Sequence, residues 1–358
     1  MDKRPLLLEV EDLKTYMFLD EGTVRAVDGA TFAIRRGETL GVVGESGCGK
    51  SITARSIMRI VRSPGKIIGG SIRWHRMPEG ANGAKPEVLE LTKYDPQGKE
   101  MRSIRGAEIA MVFQEPMSSL SPVHTIGNQI MEAILLHQRV RKDEAREKAI
   151  MMLEQVGMPQ PARTIDRYPH QLSGGQRQRA MIAMALSCNP DLLIADEPTT
   201  ALDVTTEAQI LALMRTLQQD LGMAIMFITH NLGVVAQMAE RVIVMYMGRV
   251  VEEAPVDALF YEPKHPYTQA LLQSVPKLGS KATGSAGRLA SIRGTVPDPF
   301  ARLQGCPFHP RCNYAIPGVC DVEEPPVIQT GVGHTARCHL YTDKHKSVEL
   351  GQPAAPAP

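Results

Sequence analysis

The chain has 358 residues, room for a domain of roughly 250 residues and a smaller one. Hydrophobic residues make up 43%, ample for a packed core, while aromatics are only 4% and the net charge is +1. Neither a global basic field nor a large base-stacking surface therefore points to nucleic acid. No apolar run approaches the ~20 residues that span a bilayer. Glu9, Glu11 and Asp12 break the leucine-rich start, so it does not read as a signal peptide. The expectation is a soluble chain made in the cytoplasm, with any membrane role exerted through partners.

In chain order, Leu6–Phe18 and Thr23–Ile34 read as strands of an antiparallel N-terminal sheet. Short apolar runs then predict buried strands at Leu40–Val43, Ile109–Phe113, Leu192–Ala195, Ala224–Ile228 and Val242–Met245. Helical stretches lie between them. In Lys142–Val156, Ala145, Ala149, Met152, Leu153 and Val156 share one face and Gly157 marks the stop; Ala208–Leu221 ends likewise at Gly222. Alternation of this kind predicts an α/β fold with a mostly parallel sheet and helices on its faces. Pro78–Lys85 reads as an exposed loop, Lys277–Arg288 as a linker and Gly351–Pro358 as a disordered tail.

Gly44–Ser51 reads GESGCGKS and fits the phosphate-loop pattern, with a strand leading in and a helical stretch, Ser51–Val61, leading out. Gly44, Glu45, Ser46, Gly47, Cys48 and Gly49 would turn backbone N–H groups inward around phosphates at a helix N-terminus. Lys50 would reach the β- and γ-phosphates, and the Ser51 hydroxyl would ligate Mg²⁺. Such a site needs a carboxylate at a strand end. Asp196 and Glu197 supply two in a row; alternation along a strand would aim them to opposite sides. Asp196 would then hold Mg²⁺ while Glu197 polarises the attacking water. Gln114 and His230 also follow predicted strands, where a side chain can sense a γ-phosphate and, for Gln114, the metal. Leu172-Ser173-Gly174-Gly175-Gln176 opens a further helical stretch, a second anion site. Two anion sites in one chain suggest that a partner chain completes each composite site.

These motifs resemble one family, the ABC ATPases. The phosphate loop, Gln114, LSGGQ at Leu172–Gln176, LLIADEP at Leu192–Pro198, the Ala201-Leu202-Asp203 loop and His230 stand in the family's order. The resemblance implies a RecA-like parallel-sheet core, an N-terminal antiparallel subdomain and a helical subdomain at about 115–175, within an ATPase domain over 1–255. A cysteine-rich C-terminal domain would occupy 256–345 and a tail 346–358. It implies a head-to-tail pair of ATPase chains, in which Ser173, Gly174, Gly175, Gln176 and Asp203 serve the nucleotide bound mainly by the partner. Tyr16 falls where the family has an aromatic that stacks on adenine, with Phe18 as the fallback.

FQEPMSSLSP at Phe113–Pro122, HPYTQALLQSVP at His265–Pro276 and GCPFHPRC at Gly305–Cys312 are similar to one branch, the ATPase subunits of bacterial dipeptide, oligopeptide and nickel importers. That resemblance implies two membrane permease subunits, a second related ATPase chain as heterodimer partner and an extracytoplasmic binding protein. The chain would sit peripherally on the cytoplasmic face of the inner membrane. Peptides are the expected cargo; nickel chelates and oligosaccharides are the alternatives. A soluble ABC ATPase acting on DNA or ribosomes is disfavoured by near-neutral charge. Asn231 departs from the branch, which has Asp after the switch histidine, and Cys48 stands where many relatives carry Ser.

Cys306, Cys312, Cys320 and Cys338 crowd into the last sixth of the chain with spacing C-x5-C-x7-C-x17-C. Spacing matches neither zinc ribbons nor ferredoxin runs and leaves zinc and an iron–sulfur cubane both open, with disulfides behind. The importer resemblance implies a structural [4Fe-4S] cluster on these four thiols, with His309 and His339 as bystanders.

Overall fold

The computed structural model describes residues 4–77, 86–114, 119–200, 202–274 and 292–343. The loop expected at Pro78–Lys85, the linker at Lys277–Arg288 and the tail at Gly351–Pro358 lie outside those residues, as does Ala201.

Strands β1 (Leu6–Leu19) and β2 (Gly22–Arg35) form the long antiparallel hairpin that the sequence predicts. Leu8, Val10 and Leu13 from one strand and Val27, Ala30, Phe32 and Ile34 from the other are buried along it. The chain then enters β3 (Thr39–Val43), which is buried throughout and delivers the phosphate loop. The helix after that loop, Lys50–Ile57, is shorter than the predicted Ser51–Val61. It stops because Arg59 takes a left-handed backbone, φ 54°, which no helix continues through. Two strands that sequence patterning missed, β4 (Gly65–Arg76) and β5 (Glu87–Glu90), complete a four-stranded sheet in the order β2-β1-β4-β5. The adjacent glycines Gly69 and Gly70 and four basic side chains blur the alternation of β4, whose buried anchors are Ile72 and Trp74.

The second sheet continues with β6 (Ile109–Val112), β7 (Leu192–Asp196), β8 (Ala224–Ile228), β9 (Arg241–Tyr246), β10 (Arg249–Pro255), β11 (Val327–Gly331) and β12 (His334–Arg337). Its order is β11-β12-β10-β9-β3-β8-β7-β6. The span from β9 to β6 is parallel, as the apolar runs imply for strands covered on both faces. Beyond β9 the sheet turns antiparallel, with β10 on β9, β12 on β10 and β11 on β12. The sheet is therefore mixed, because the C-terminal part of the chain donates strands to the same sheet that holds the phosphate loop.

Helix Lys142–Gln155 buries Ala145, Ala149, Met152 and Leu153, and Gly157 follows it with φ 68°. It packs on helices Ile126–His137 and Gly174–Leu186 between β6 and β7. Helix Val204–Leu221 begins four residues before the predicted Ala208, since Asp203 caps it, and ends on left-handed Gly222. Within the C-terminal part, buried Glu252 of β10 accepts the N–H groups of Lys264 (2.6 Å) and His265 (2.8 Å) and pairs with His334 Nε2 at 2.7 Å. Tyr267 and Phe308 join Val43, Val244 and Tyr246 in one apolar cluster. Cysteine-rich segment and nucleotide sheet thus share a core. Among the described residues, no helix is long and apolar enough to cross a membrane.

Candidate functional site: a phosphate loop and a convergent carboxylate

The phosphate loop is pressed into its neighbours. A Cβ at Gly44 would lie 2.2 Å from the Met245 carbonyl, and one at Gly49, where φ is 104°, 2.2 Å from the Ala26 carbonyl. Only glycine permits that approach. Gly248 N–H, in the turn after β9, donates to the Cys48 carbonyl at 2.9 Å. Ser46 and Gly47 stay exposed, leaving an open cradle. Lys50 is buried, and its Nζ donates to the carbonyls of Gly44 (2.7 Å) and Glu45 (3.0 Å). The cation is held within the loop by weak acceptors that anionic oxygens can displace. Burial pushes the Cys48 thiol up, against the opposing pull of Lys50. A protonated, buried thiol is a poor nucleophile, which fits Cys48 as a small packed residue of the loop.

Ser51 Oγ donates to Asp196 Oδ1 at 2.9 Å, which brings two hard oxygens to the loop's inner end. Burial pushes the Asp196 carboxyl up; the Ser51 hydrogen bond opposes that and the Glu197 charge adds to it. The sequence reading placed Asp196 and Glu197 on opposite sides of one strand. Instead β7 ends at Asp196, and Glu197 takes φ 48° with its N–H donating to Ile228 O at 2.9 Å. A left-handed backbone in a non-glycine residue carries strain held by its surroundings. Here it, and not strand alternation, separates the two carboxylates.

Three side chains meet at the Glu197 carboxylate. Gln114 Nε2 donates to Oε2 at 2.9 Å and Thr200 Oγ1 to the same oxygen at 3.0 Å, while His230 Nδ1 lies 3.1 Å from Oε1. Burial alone would raise the Glu197 pKa, but hydrogen bonds from His230 and Thr200 outweigh it and hold the carboxyl below its usual range. Gln114 and His230 were singled out as residues after strands and as members of the motif series; the structure brings them to one carboxylate. Thr200 was missed, because its place depends on the turn after Pro198.

The LSGGQ segment lies elsewhere on the surface. Ser173 caps helix Gly174–Leu186, its Oγ accepting the Gln176 N–H at 3.3 Å while Gln176 Oε1 accepts the Ser173 N–H at 3.1 Å. Ser173 and Gly174 are exposed. Asp203 accepts from the Thr206 N–H (3.0 Å) and hydroxyl (2.7 Å). Asn231 caps the helix Leu232–Met238, its Oδ1 accepting the Gly233 N–H at 3.0 Å. Tyr16 donates its hydroxyl to Asp28 Oδ1 at 2.6 Å and lies under the Arg25 guanidinium; Phe18 is exposed at the strand end.

Glu45 is held from the C-terminal segment. Its N–H donates to the Tyr267 hydroxyl at 2.8 Å, and its carboxylate receives both ends of the Arg311 guanidinium, at 2.7 and 3.0 Å. That pairing holds the Arg311 pKa above its ordinary value. Neither Tyr267 nor Arg311 was read as a site residue, since their partner lies more than two hundred positions earlier.

Cys306, Cys312, Cys320 and Cys338 line one small enclosed cavity with His309 and His339, and all four are free thiols. The N–H groups of Tyr314 and Ile316 donate to the sulfurs of Cys312 and Cys320, each at 3.4 Å. Burial pushes Cys306 up to about 11 and Cys312 and Cys338 up to about 12. Among the described residues, no group of three or more His, Cys, Asp or Glu side chains is arranged to hold a metal ion. The metal centre expected on these cysteines is therefore not supported by their arrangement, although the four thiols share a cavity.

Comparison with known proteins agrees with this geometry. Residues 27–200 match the ABC transporter model, and residues 251–320 match the model of the oligopeptide/dipeptide transporter C-terminal region. A probable peptide ABC transporter ATP-binding protein, y4tR of Sinorhizobium fredii, is 51% identical over 94% of this chain and 95% of its own. The chain belongs to the ABC transporter ATP-binding proteins. The oligopeptide transport ATP-binding protein AppD of Bacillus subtilis is 50% identical over 94% of this chain and 98% of its own. The dipeptide transport ATP-binding protein DppD of Escherichia coli is 46% identical over 94% and 97%. Among solved structures, the dimeric ATP-binding cassette MJ0796 bound to ADP and Pi shares 26% identity at a TM-score of 0.59, covering 70% of this chain and 99% of that one. The fold is thus that of an ABC ATPase, with β11 and β12, which follow the matched C-terminal region, added to the same sheet.

Proposed function

We propose that the chain hydrolyses MgATP to drive peptide uptake, as a peripheral subunit on the cytoplasmic face of the membrane. The observation that carries this reading is the convergence of Gln114, Thr200 and His230 on the Glu197 carboxylate, one residue beyond the Asp196–Ser51 pair. Peptide cargo rests on the named relatives, which are peptide, oligopeptide and dipeptide transport proteins. Two membrane permeases and an extracytoplasmic binding protein are its partners in this reading, together with a second related ATPase chain.

Lys50 would exchange the carbonyls of Gly44 and Glu45 for β- and γ-phosphate oxygens, and Tyr16 would offer its ring to adenine. Ser51 and Asp196 fit Mg²⁺ as adjacent hard oxygens; the ion, when bound, neutralises phosphate charge. Glu197 stays ionised at neutral pH and accepts a hydrogen bond from the water that attacks the γ-phosphorus, whose bond to the bridging oxygen breaks to leave ADP and phosphate. Gln114 and His230 fix the orientation of that carboxylate. The exposed LSGGQ of a partner chain would close the other side of the nucleotide, with Asp203 across the junction. An isolated chain then binds ATP readily and hydrolyses it slowly.

Glu197→Gln should retain MgATP affinity and lose hydrolysis by about 10³-fold, within the range for general-base groups. Assembled with its partners, a variant with unchanged turnover removes Glu197 from the chemistry.

The cysteine cavity supports a structural [4Fe-4S] cluster as the finer reading. Four soft thiols on one cavity, two of them receiving backbone N–H groups, suit a thiolate-held cluster. Its contribution would be to pin a loop-rich segment. Stoichiometric iron and sulfide in anaerobically purified protein is the expected result; stoichiometric zinc without either would overturn the cluster.

A further inference from the structure

Glu45 is the one acidic side chain of the phosphate loop, and it stands beside the cradle where polyanionic phosphates would bind. Left alone, its carboxylate would repel them. Instead Arg311 meets it with a bidentate pair. The Arg311 side chain is only 4% exposed against 23% for Glu45, so the cation is set in place before the loop needs it. Its remaining contacts lock it: Nε donates to the Arg293 carbonyl at 3.1 Å, and the guanidinium lies over the rings of Tyr246 and Phe308 at about 6 Å. Arg311 itself sits in a short turn between Cys306 and Cys312, where its N–H donates to the Phe308 carbonyl and the Cys312 N–H to that of His309. Tyr267, packed edge-on against Phe308, anchors the Glu45 N–H.

We propose that Arg311 and Tyr267 are positioning residues for the nucleotide: they neutralise and fix Glu45, so that the cysteine-rich segment sets the affinity of the phosphate loop. This rests on reading Gly44–Ser51 as the phosphate site. Neither residue touches the nucleotide. Arg311 cancels the loop's own negative charge, and Tyr267 holds the loop's entry where Lys50 and the backbone N–H groups face inward. The C-terminal segment is therefore wired to the loop by one charged and one neutral polar side chain, beyond its part in the shared core.

The test is equilibrium titration of MgATP into the full chain, with bound metal measured in parallel. Arg311→Gln should weaken MgATP binding by about tenfold, the loss of a charge-assisted pair, with metal content unchanged. Removing the exposed charge as well, in Glu45→Gln/Arg311→Gln, should recover most of that loss. A merely structural Arg311 would not be rescued by a change at position 45. Tyr267→Phe keeps the packed ring, should cost about threefold by loss of one hydrogen bond, and carries the test if Arg311→Gln does not fold. Wild-type affinity in either folded variant, a double variant no better than the single one, or metal lost along with binding would each overturn the proposal. Lys50→Ala keeps the two readings apart. If it binds MgATP like the wild type, the phosphate-site reading fails; if it does not bind while Arg311→Gln binds normally, only the wiring fails.

Discussion

The phosphate loop and the LSGGQ segment are both glycine-bearing starts of helices, yet they are built in opposite ways. The loop is locked from outside itself: β9, the Gly248 turn, Asp196 and the C-terminal Arg311 and Tyr267 all reach into it. LSGGQ satisfies itself, with Ser173 and Gln176 closing a reciprocal capping box and the surface left open. In the composite site proposed above, one half would be preorganised by the chain that owns it. The other is a finished helix start that can be lent to another molecule without changing its own fold.

Glycine replacements break this contrast most directly. Gly49→Ala puts a Cβ 2.2 Å from a backbone carbonyl at φ 104°; MgATP binding should fall by at least about a hundredfold in equilibrium titration, as the loop must move to accept it. Gly175→Ala meets a side chain instead, Thr206 Cγ2 at 2.8 Å. There, MgATP binding by the isolated chain should stay near wild type while hydrolysis by the assembled complex falls by about tenfold. Equal effects on binding at both positions would dissolve the distinction.

Asp196→Asn sharpens the loop side through stability. The folded-state pKa of Asp196 is raised by burial, so its contribution to stability is fully present below the ordinary Asp range and is lost as pH rises through the raised folded value, leaving the ionised carboxylate a cost above it. The nucleotide-free variant should therefore melt higher at neutral pH, by about 2 °C for a chain of this size, while Mg²⁺-dependent hydrolysis is lost. Glu197 has the opposite sign. Its lowered pKa contributes stability that is present above the ordinary Glu range and lost as pH falls through the folded value. Thermal melts of Glu197→Gln and Asp196→Asn against pH should diverge accordingly; parallel curves would mean that the two carboxylates share one environment. The smallest effect is expected at Asn231. Asp caps a helix as well as Asn does, so Asn231→Asp should change stability by less than about 0.5 kcal/mol and leave hydrolysis within about twofold in a coupled assay.

Much of this was legible in the residues. GESGCGKS after an apolar run, Asp196-Glu197 at the end of another, and Gly157 and Gly222 behind helical stretches are local patterns, and local patterns survive folding because the backbone obeys them. Strands β4, β5, β10, β11 and β12 were not legible. They lie at or toward the edges of their sheets and carry glycines, charges or half-exposed faces, so neighbours and not alternation define them.

The sequence by itself determined the family and where the phosphate-loop motif and the strand-end carboxylates stand, because backbone cradles and strand-end carboxylates are specified within a few positions. Tertiary structure alone decided how they meet. It set Glu197 outside its strand on a left-handed backbone, drew Gln114, Thr200 and His230 onto it, and carried Arg311 across 266 positions to Glu45. Contacts between distant segments depend on how the sheet is ordered and on which faces bury their charges, and no spacing along the chain encodes either.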